Sequence, residues 1–140
     1  MRASLAGLVA LLAVAAVAGP SRAQADDCDN AQAGQADLNE CYGKAFKASD
    51  AELNKLYKEI QARLKDDPDT TRLLVATQRA WVSFRDAECD FQASAVAGGS
   101  AVPMIHAMCL DGQTKSRIDD FKAYLNCEEG DMSCPVPAAN

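Results

Sequence analysis

The chain has 140 residues, of which 20 are acidic and 14 are Lys or Arg, so its formal net charge is −6 at neutral pH. An acidic surface repels nucleic acid and anionic lipid and favours basic partners. The size indicates one domain, and beyond the N-terminal segment no hydrophobic run is long enough to span a bilayer.

Residues 1–25 have the pattern of a cleaved signal peptide. The apolar run from Leu5 to Ala18 is shorter than the ~20 residues of a membrane span, and Ala23-Gln24-Ala25 has the form read by signal peptidase. We therefore predict cleavage after Ala25 and a periplasmic or secreted product. The acidic residues just before Cys28 argue against a lipoprotein, and the alternative interpretation is a retained anchor helix.

The mature chain, residues 26–140, would be more acidic than the precursor. Cleavage removes Arg2 and Arg22, which leaves 12 basic residues against 20 acidic ones and a net charge of −8. All the cysteines lie in this mature part. An even number of cysteines behind a signal peptide is typical of disulfide bonds formed in an oxidising compartment.

The spacing of apolar residues predicts an all-α fold. A first helix over 35–65 carries a stripe at three- and four-residue intervals, in which Ser49 fills one gap. Asp67 and Pro68 are typical of a helix start and predict a second helix over 69–95. The short turn between two long helices implies an antiparallel hairpin.

The rest of the chain predicts a small bundle of three to four helices. Gly98-Gly99-Ser100 would end the second helix, with Gly as the C-terminal cap and Ser100 at the start of the next one. Further helices are expected over 101–110 and 114–126, separated by a turn or kink at Asp111-Gly112. Residues 26–126 would form the helical domain, and residues 127–140 an irregular, acidic, Pro-containing tail.

The stretch from Gln78 to Cys89 holds the only Trp and is expected to organise the core. Leu74, Trp81, Phe84 and Cys89 fall near one helical face, with Arg85 at its margin. Trp81 and Arg85 are four residues apart, so the guanidinium can lie over the indole and pair with a carboxylate. Trp81, Arg85 and Asp86 are therefore predicted to form a structural core motif; the alternative is direct contact with a partner.

The sequence lacks the residues that most enzymes require. His106 is the only histidine and lies in an apolar segment, where a core or rim position is expected. No second histidine provides zinc spacing, and the chain has no phosphate-binding loop and no nucleophile elbow. We therefore predict no catalytic residue, no metal site, no cofactor and no enzymatic activity.

Several segments together resemble a known family. They are Cys28 and Cys41 around Gln35-Ala36-Asp37-Leu38-Asn39, the run from Ala48 to Tyr57, the stretch from Gln78 to Cys89, Gly98-Gly99-Ser100, and Cys109. The chain is similar to the LprI-like lysozyme inhibitors, small exported helical proteins of bacteria, over roughly residues 28–125. The resemblance implies a helical fold, an extracytoplasmic location and a lysozyme-type basic protein as partner.

The resemblance transfers no inhibitory residue to this chain. The loop Gly98-Gly99-Ser100 is a candidate partner contact by position, and its alternative role is helix capping. A second function remains open, that of a non-enzymatic structural or adaptor protein of the cell envelope. Six cysteines allow many pairings; we predict Cys28–Cys41, Cys89–Cys109 and Cys127–Cys134, of which the second would join the helices on either side of Gly98-Gly99.

Overall fold

The computed structural model of the protein describes Cys28 and residues 34–138, and it confirms the all-α class. Helix α1 spans Gln35–Arg63, α2 spans Pro68–Ala93, and α3 spans Val102–Leu125; a short 3₁₀ helix, Ser94–Val96, follows α2. No strand occurs among the described residues. The predicted signal peptide and its cleavage point lie outside them. Within the described part, no helix combines the length and hydropathy needed to cross a membrane.

Helix α1 follows the predicted stripe closely. It starts after Gly34 and ends at Arg63, within two residues of the expected end. Ser49 is buried in line with Leu53 and Ile60, and its hydroxyl donates a hydrogen bond to the Phe46 carbonyl at 3.0 Å. The polar residue in the stripe is therefore satisfied within its own helix.

The turn between α1 and α2 has the predicted chemistry. Asp67 is the N-cap of α2, and its carboxylate accepts from the Thr70 backbone N–H at 2.9 Å. Pro68 occupies the first helical position, where its missing N–H costs no hydrogen bond. The Thr71 hydroxyl donates to the Leu64 carbonyl at 3.0 Å and closes the turn.

The C-terminal region contains one helix rather than the two predicted over 101–110 and 114–126. Asp111-Gly112 does not end a helix, because both residues lie inside α3. Asp111 is buried and pairs with Lys115 at 2.7 Å, one turn further along the same helix. A glycine inside a helix costs about 1 kcal/mol relative to Ala, and burial of Leu110, Ile118 and Phe121 on the same helix offsets this cost.

The helices form an up-down-up bundle in which α1 and α3 run parallel and make the most extensive contact. Gln35 meets Met104 near the start of both helices, and Arg63 donates to the Leu125 carbonyl at 2.7 Å at their far ends. The two helices of the predicted hairpin are antiparallel, but α1 packs mainly on α3. The buried cluster between them contains Leu53, Ile60, Leu64, Ile118, Phe121 and Val136.

Helix α2 does not bury the face that the sequence predicts, because Phe84 was expected on the core side and lies on the outer side. Arg85, placed at the margin by the sequence, is buried, whereas Phe84 keeps 57% of its surface exposed. Successive helical residues are ~100° apart. The inward direction runs through Arg85 and Cys89, so the residue just before Arg85 points away from the core.

The bridges Cys28–Cys41, Cys89–Cys109 and Cys127–Cys134 are all present, which is the predicted pairing. The first ties the N-terminal segment to α1, the second joins α2 to α3, and the third closes a small loop in the tail. The tail also contacts the bundle through Val136, which is buried in the α1–α3 cluster. It is therefore held by apolar packing as well as by its bridge.

Candidate functional site

Two arginines enclose the single tryptophan. The Arg85 guanidinium carbon lies 5.1 Å from the Trp81 ring and 5.4 Å from the Phe46 ring. Arg117 lies 6.0 Å from the Trp81 ring and 4.7 Å from the Phe121 ring. The order Phe46, Arg85, Trp81, Arg117, Phe121 forms a cation–π ladder that links all three helices.

Both arginines of the ladder have polar partners on one edge. Arg85 donates from Nε and Nη2 to one oxygen of Asp86, at 2.9 and 2.8 Å, and Nη1 lies 3.5 Å from Asp50 on α1. Arg117 donates to Gln78 on α2 and to Asp120, each at 3.2 Å. The contacts with Asp50 and Gln78 cross between helices, so the two arginines dock α2 onto the α1–α3 pair.

The structure brings Trp81, Arg85 and Asp86 together, as the sequence suggested, but the three residues differ in burial. Arg85 is 8% exposed, Trp81 is half-buried, and Asp86 lies at the surface. Sequence reasoning missed Arg117, which is 7% exposed. The available signal was its spacing of four residues from Phe121, the same separation that links Trp81 to Arg85.

The ladder carries no reactive chemistry. Its arginines are buried and committed to aromatic rings and carboxylates, so a partner cannot reach their guanidinium groups. His106 is part-exposed, with Nε2 3.2 Å from Asp90 Oδ1, and it has one acidic neighbour rather than a ligand set. Among the described residues, no group of His, Cys, Asp and Glu has the arrangement of a metal site.

In the connection between α2 and α3, the loop Gly98-Gly99-Ser100 lies at the surface. Gly98 has φ +77°, a conformation that glycine adopts without strain, and Gly99 and Ser100 are exposed. The Ser100 carbonyl accepts from Asn39 Nδ2 of α1 at 3.0 Å, which fixes the loop against a second helix. The prediction that Ser100 starts α3 is wrong, because Ala101 is the N-cap and no side chain caps it.

Three surface carboxyl groups are held in their charged form. A hydrogen bond from Lys44 lowers the pKa of Glu40, and hydrogen bonds from the Thr70 backbone N–H and hydroxyl lower the pKa of Asp67. The Ser133 hydroxyl and backbone N–H lower the pKa of Asp131 in the same way. In each case the hydrogen bonds favour the charged form of the carboxyl group.

Comparisons with known proteins identify relatives of this chain. The family model described as "Lysozyme inhibitor LprI" matches residues 28–121, which include all three helices except the end of α3. The uncharacterized protein R02472 of Rhizobium meliloti (strain 1021) is 33% identical over 141 residues, covering 92% of this chain and 99% of the relative. The uncharacterized protein YecT of Escherichia coli (strain K12) is 29% identical over 105 residues, covering 66% and 65%. No solved structure matches the chain.

Proposed function

Because the chain belongs to the LprI lysozyme-inhibitor family, we propose that it binds a basic lysozyme outside the cytoplasm and slows peptidoglycan hydrolysis. The match across residues 28–121 is the observation that carries this proposal. The described cysteines are all in disulfides, which fits an exported protein. Cleavage after Ala25 would release the mature chain as helical domain 26–126 with the tail 127–140.

The charge of the protein supports this choice of partner. The net charge of −8 predicted for residues 26–140 attracts basic proteins and accelerates their encounter. Inhibition needs only a stable surface that covers the sugar-binding cleft, so the protein would require no cofactor and no chemistry of its own. The adaptor hypothesis remains the alternative, since charge alone also gives unspecific binding to basic proteins.

The loop Gly98-Gly99-Ser100 is the proposed contact. It projects from the bundle between α2 and α3, and Asn39 holds it in place. A contact element that is fixed before binding loses little conformational entropy when the partner arrives. The cation–π ladder supports the loop indirectly, because it docks the helix from which the loop emerges.

The test is the activity of a basic lysozyme with purified residues 26–140 at ~0.15 M salt, where the Debye length is ~8 Å and long-range attraction is largely screened. We expect inhibition to persist, since a specific complex buries roughly 1,200–2,000 Å². A basic protein without lysozyme activity serves as the binding control. Inhibition that disappears at this salt, or equal binding to the control, would favour the adaptor hypothesis.

The loop contact is tested by adding a cation to it. Ser100→Arg places bulk and positive charge on the proposed surface, and Ser116→Arg makes the same change on the exposed face of α3. We expect the first variant to weaken inhibition severalfold or more and the second to match the parent, because only the first opposes a basic partner at the contact. Equal inhibition by both variants would contradict a role for the loop.

A further inference from the structure

Helix α2 carries an apolar stripe that nothing covers in the described part of the chain. Its members recur with a seven-residue period at alternating intervals of four and three, and every one is exposed: Leu73, Thr77, Ala80, Phe84, Ala87 and Phe91. We call them the α2 stripe. Leu73, Phe84 and Phe91 are 63%, 57% and 74% exposed, respectively. A seven-residue apolar repeat is the pattern by which one helix packs along another.

From this pattern we propose that the α2 stripe is the interface of an antiparallel homodimer. The stripe is self-complementary when a second copy is reversed about its midpoint at Val82. This reversal sets Leu73 against Phe91, Thr77 against Ala87, and Ala80 against Phe84 of the other copy. No phenylalanine then packs against another phenylalanine. Phe84 of each copy faces Ala80 of the other, which leaves room for the ring.

A parallel pair would fit less well. It would place Phe84 against Phe84 and Ala80 against Ala80, which alternates crowded and empty layers along the interface. The same stripe therefore distinguishes between the two orientations. The reversed pair is an isologous interface with two-fold symmetry, so it closes at two copies and does not continue into a filament.

Charges beside the stripe favour the same arrangement. Arg72 and Arg79 lie on its N-terminal half and Asp86 and Asp90 on its C-terminal half, all along one flank of α2. In a reversed pair the same flank of both helices meets, which brings each arginine near an aspartate of the other copy. In a parallel pair this flank faces the opposite flank of the partner helix, so the charges would not meet. Arg72, Asp86 and Asp90 have neighbours within their own chain, namely Asp69, Arg85 and His106, but each keeps more than half of its side chain exposed.

The size of the stripe predicts a weak dimer. From Leu73 to Phe91 it is ~27 Å long and about one helix, ~10 Å, wide. Such a footprint of a few hundred Å² is typical of interaction patches, but below that of a permanent interface. The loops at residues 98–100 would project from opposite ends of the pair, so dimer formation does not depend on the proposed function.

The first test is sedimentation velocity of residues 26–140 from about 1 to about 200 μM, a range that detects micromolar association. We expect a monomer–dimer equilibrium that Phe84→Ser weakens at least about tenfold, since central aromatics dominate interfaces. Met132→Ser is the matched control, because Met132 is a fully exposed apolar residue that does not belong to α2. A monomer over the whole range would overturn the proposal, as would equal weakening by both variants.

The second test determines whether the two α2 helices pair in antiparallel or parallel orientation. A photoreactive p-benzoylphenylalanine in place of Phe91 should crosslink to the tryptic peptide 73–79 of a second copy, which is released by cleavage after Arg72 and Arg79. Within one chain the two sites are ~27 Å apart along a rigid helix, so this product requires two molecules. A crosslink to the peptide 86–115 of the second copy would indicate parallel pairing, and one to residues 26–33 would indicate an intramolecular cover; either result overturns the proposal.

Discussion

The α1–α3 interface and the docking of α2 use different physical forces. Between α1 and α3 the centre of the contact is apolar, with Ile60 and Phe121 fully buried. Helix α2 adds directional contacts to the packing of Leu74 and Trp81 on the α1–α3 cluster. They are the cation–π contacts and ion pairs of Arg85 and Arg117, and the Cys89–Cys109 bridge. Apolar burial is insensitive to direction, whereas guanidinium contacts depend on the angle and register of the two groups.

This difference explains why α2 can leave large apolar side chains outside. A helix held by its apolar face must turn that face inward. Because Arg85 and Cys89 define the inward direction of α2, Phe84 and Phe91 remain exposed. The helix is fixed in rotation by its polar and covalent contacts and still presents an apolar surface to a partner.

The largest effect is expected at the α1–α3 interface. Phe121→Ala removes a fully buried ring and should lower the free energy of unfolding by about 3–5 kcal/mol, through lost burial and the cavity left behind. Phe84→Ala is the matched control on the exposed face of α2, where a change of about 0.5 kcal/mol or less is expected. Urea denaturation of the oxidised protein, at a concentration where it is monomeric, measures both. Equal destabilisation would contradict the buried position of Phe121 and the exposed position of Phe84.

The second-largest loss of stability is expected when the covalent link between α2 and α3 is removed. Replacing Cys89 and Cys109 by Ala opens a loop whose ends are 20 residues apart, and the chain-entropy model gives a loss of about 3 kcal/mol. Removing the Cys127–Cys134 bridge, which spans 7 residues, should cost about 2 kcal/mol in the same model. Thermal unfolding of the two double variants compares them. A larger loss for the tail bridge would contradict the central role of the α2–α3 staple.

Much of this architecture follows from spacing and from local chemistry. The stripe in α1, the cap formed by Asp67 and Pro68, and the stacking of Arg85 on Trp81 each depend on residues within four positions of one another. Such patterns can be read without knowing what lies opposite. The pairing of Cys89 with Cys109 also follows, because a short loop brings the adjoining helix ends together.

The features that sequence reasoning missed depend on tertiary contacts. Gly112 predicts a break locally, and burial of other residues of α3 keeps the helix continuous. Phe84 and Arg85 are adjacent, and periodicity does not reveal that the aromatic ring points outward while the charged residue is buried. That reversal requires Asp50 and Phe46 on α1, which interact with Arg85 from a distant part of the sequence.

The cation–π ladder is tested at Arg85. Arg85→Ala should lower the free energy of unfolding by about 2 kcal/mol, because it removes charge-assisted hydrogen bonds as well as two ring contacts. Arg85→Lys should recover only part of this loss, since an ammonium cannot face two rings and bind Asp86 through a planar fork. Chemical denaturation gives both values. An unchanged melting temperature for Arg85→Ala would identify the residue as a surface feature with no part in docking.

The smallest effect is expected at the turn that precedes α2, and it depends on pH. Hydrogen bonds from Thr70 lower the pKa of Asp67 in the folded protein, so the carboxylate stabilises the fold above its unfolded pKa. This contribution is lost as the pH falls through the lowered folded pKa. Asp67→Asn keeps a good N-cap but does not titrate there. We therefore expect the parent to lose a little more stability than the variant between pH 6 and pH 2. These two pH values lie on either side of an aspartate's usual pKa of about 4. Melting temperatures of both proteins across this range measure the difference, and parallel curves would show that the cap contributes no pH dependence.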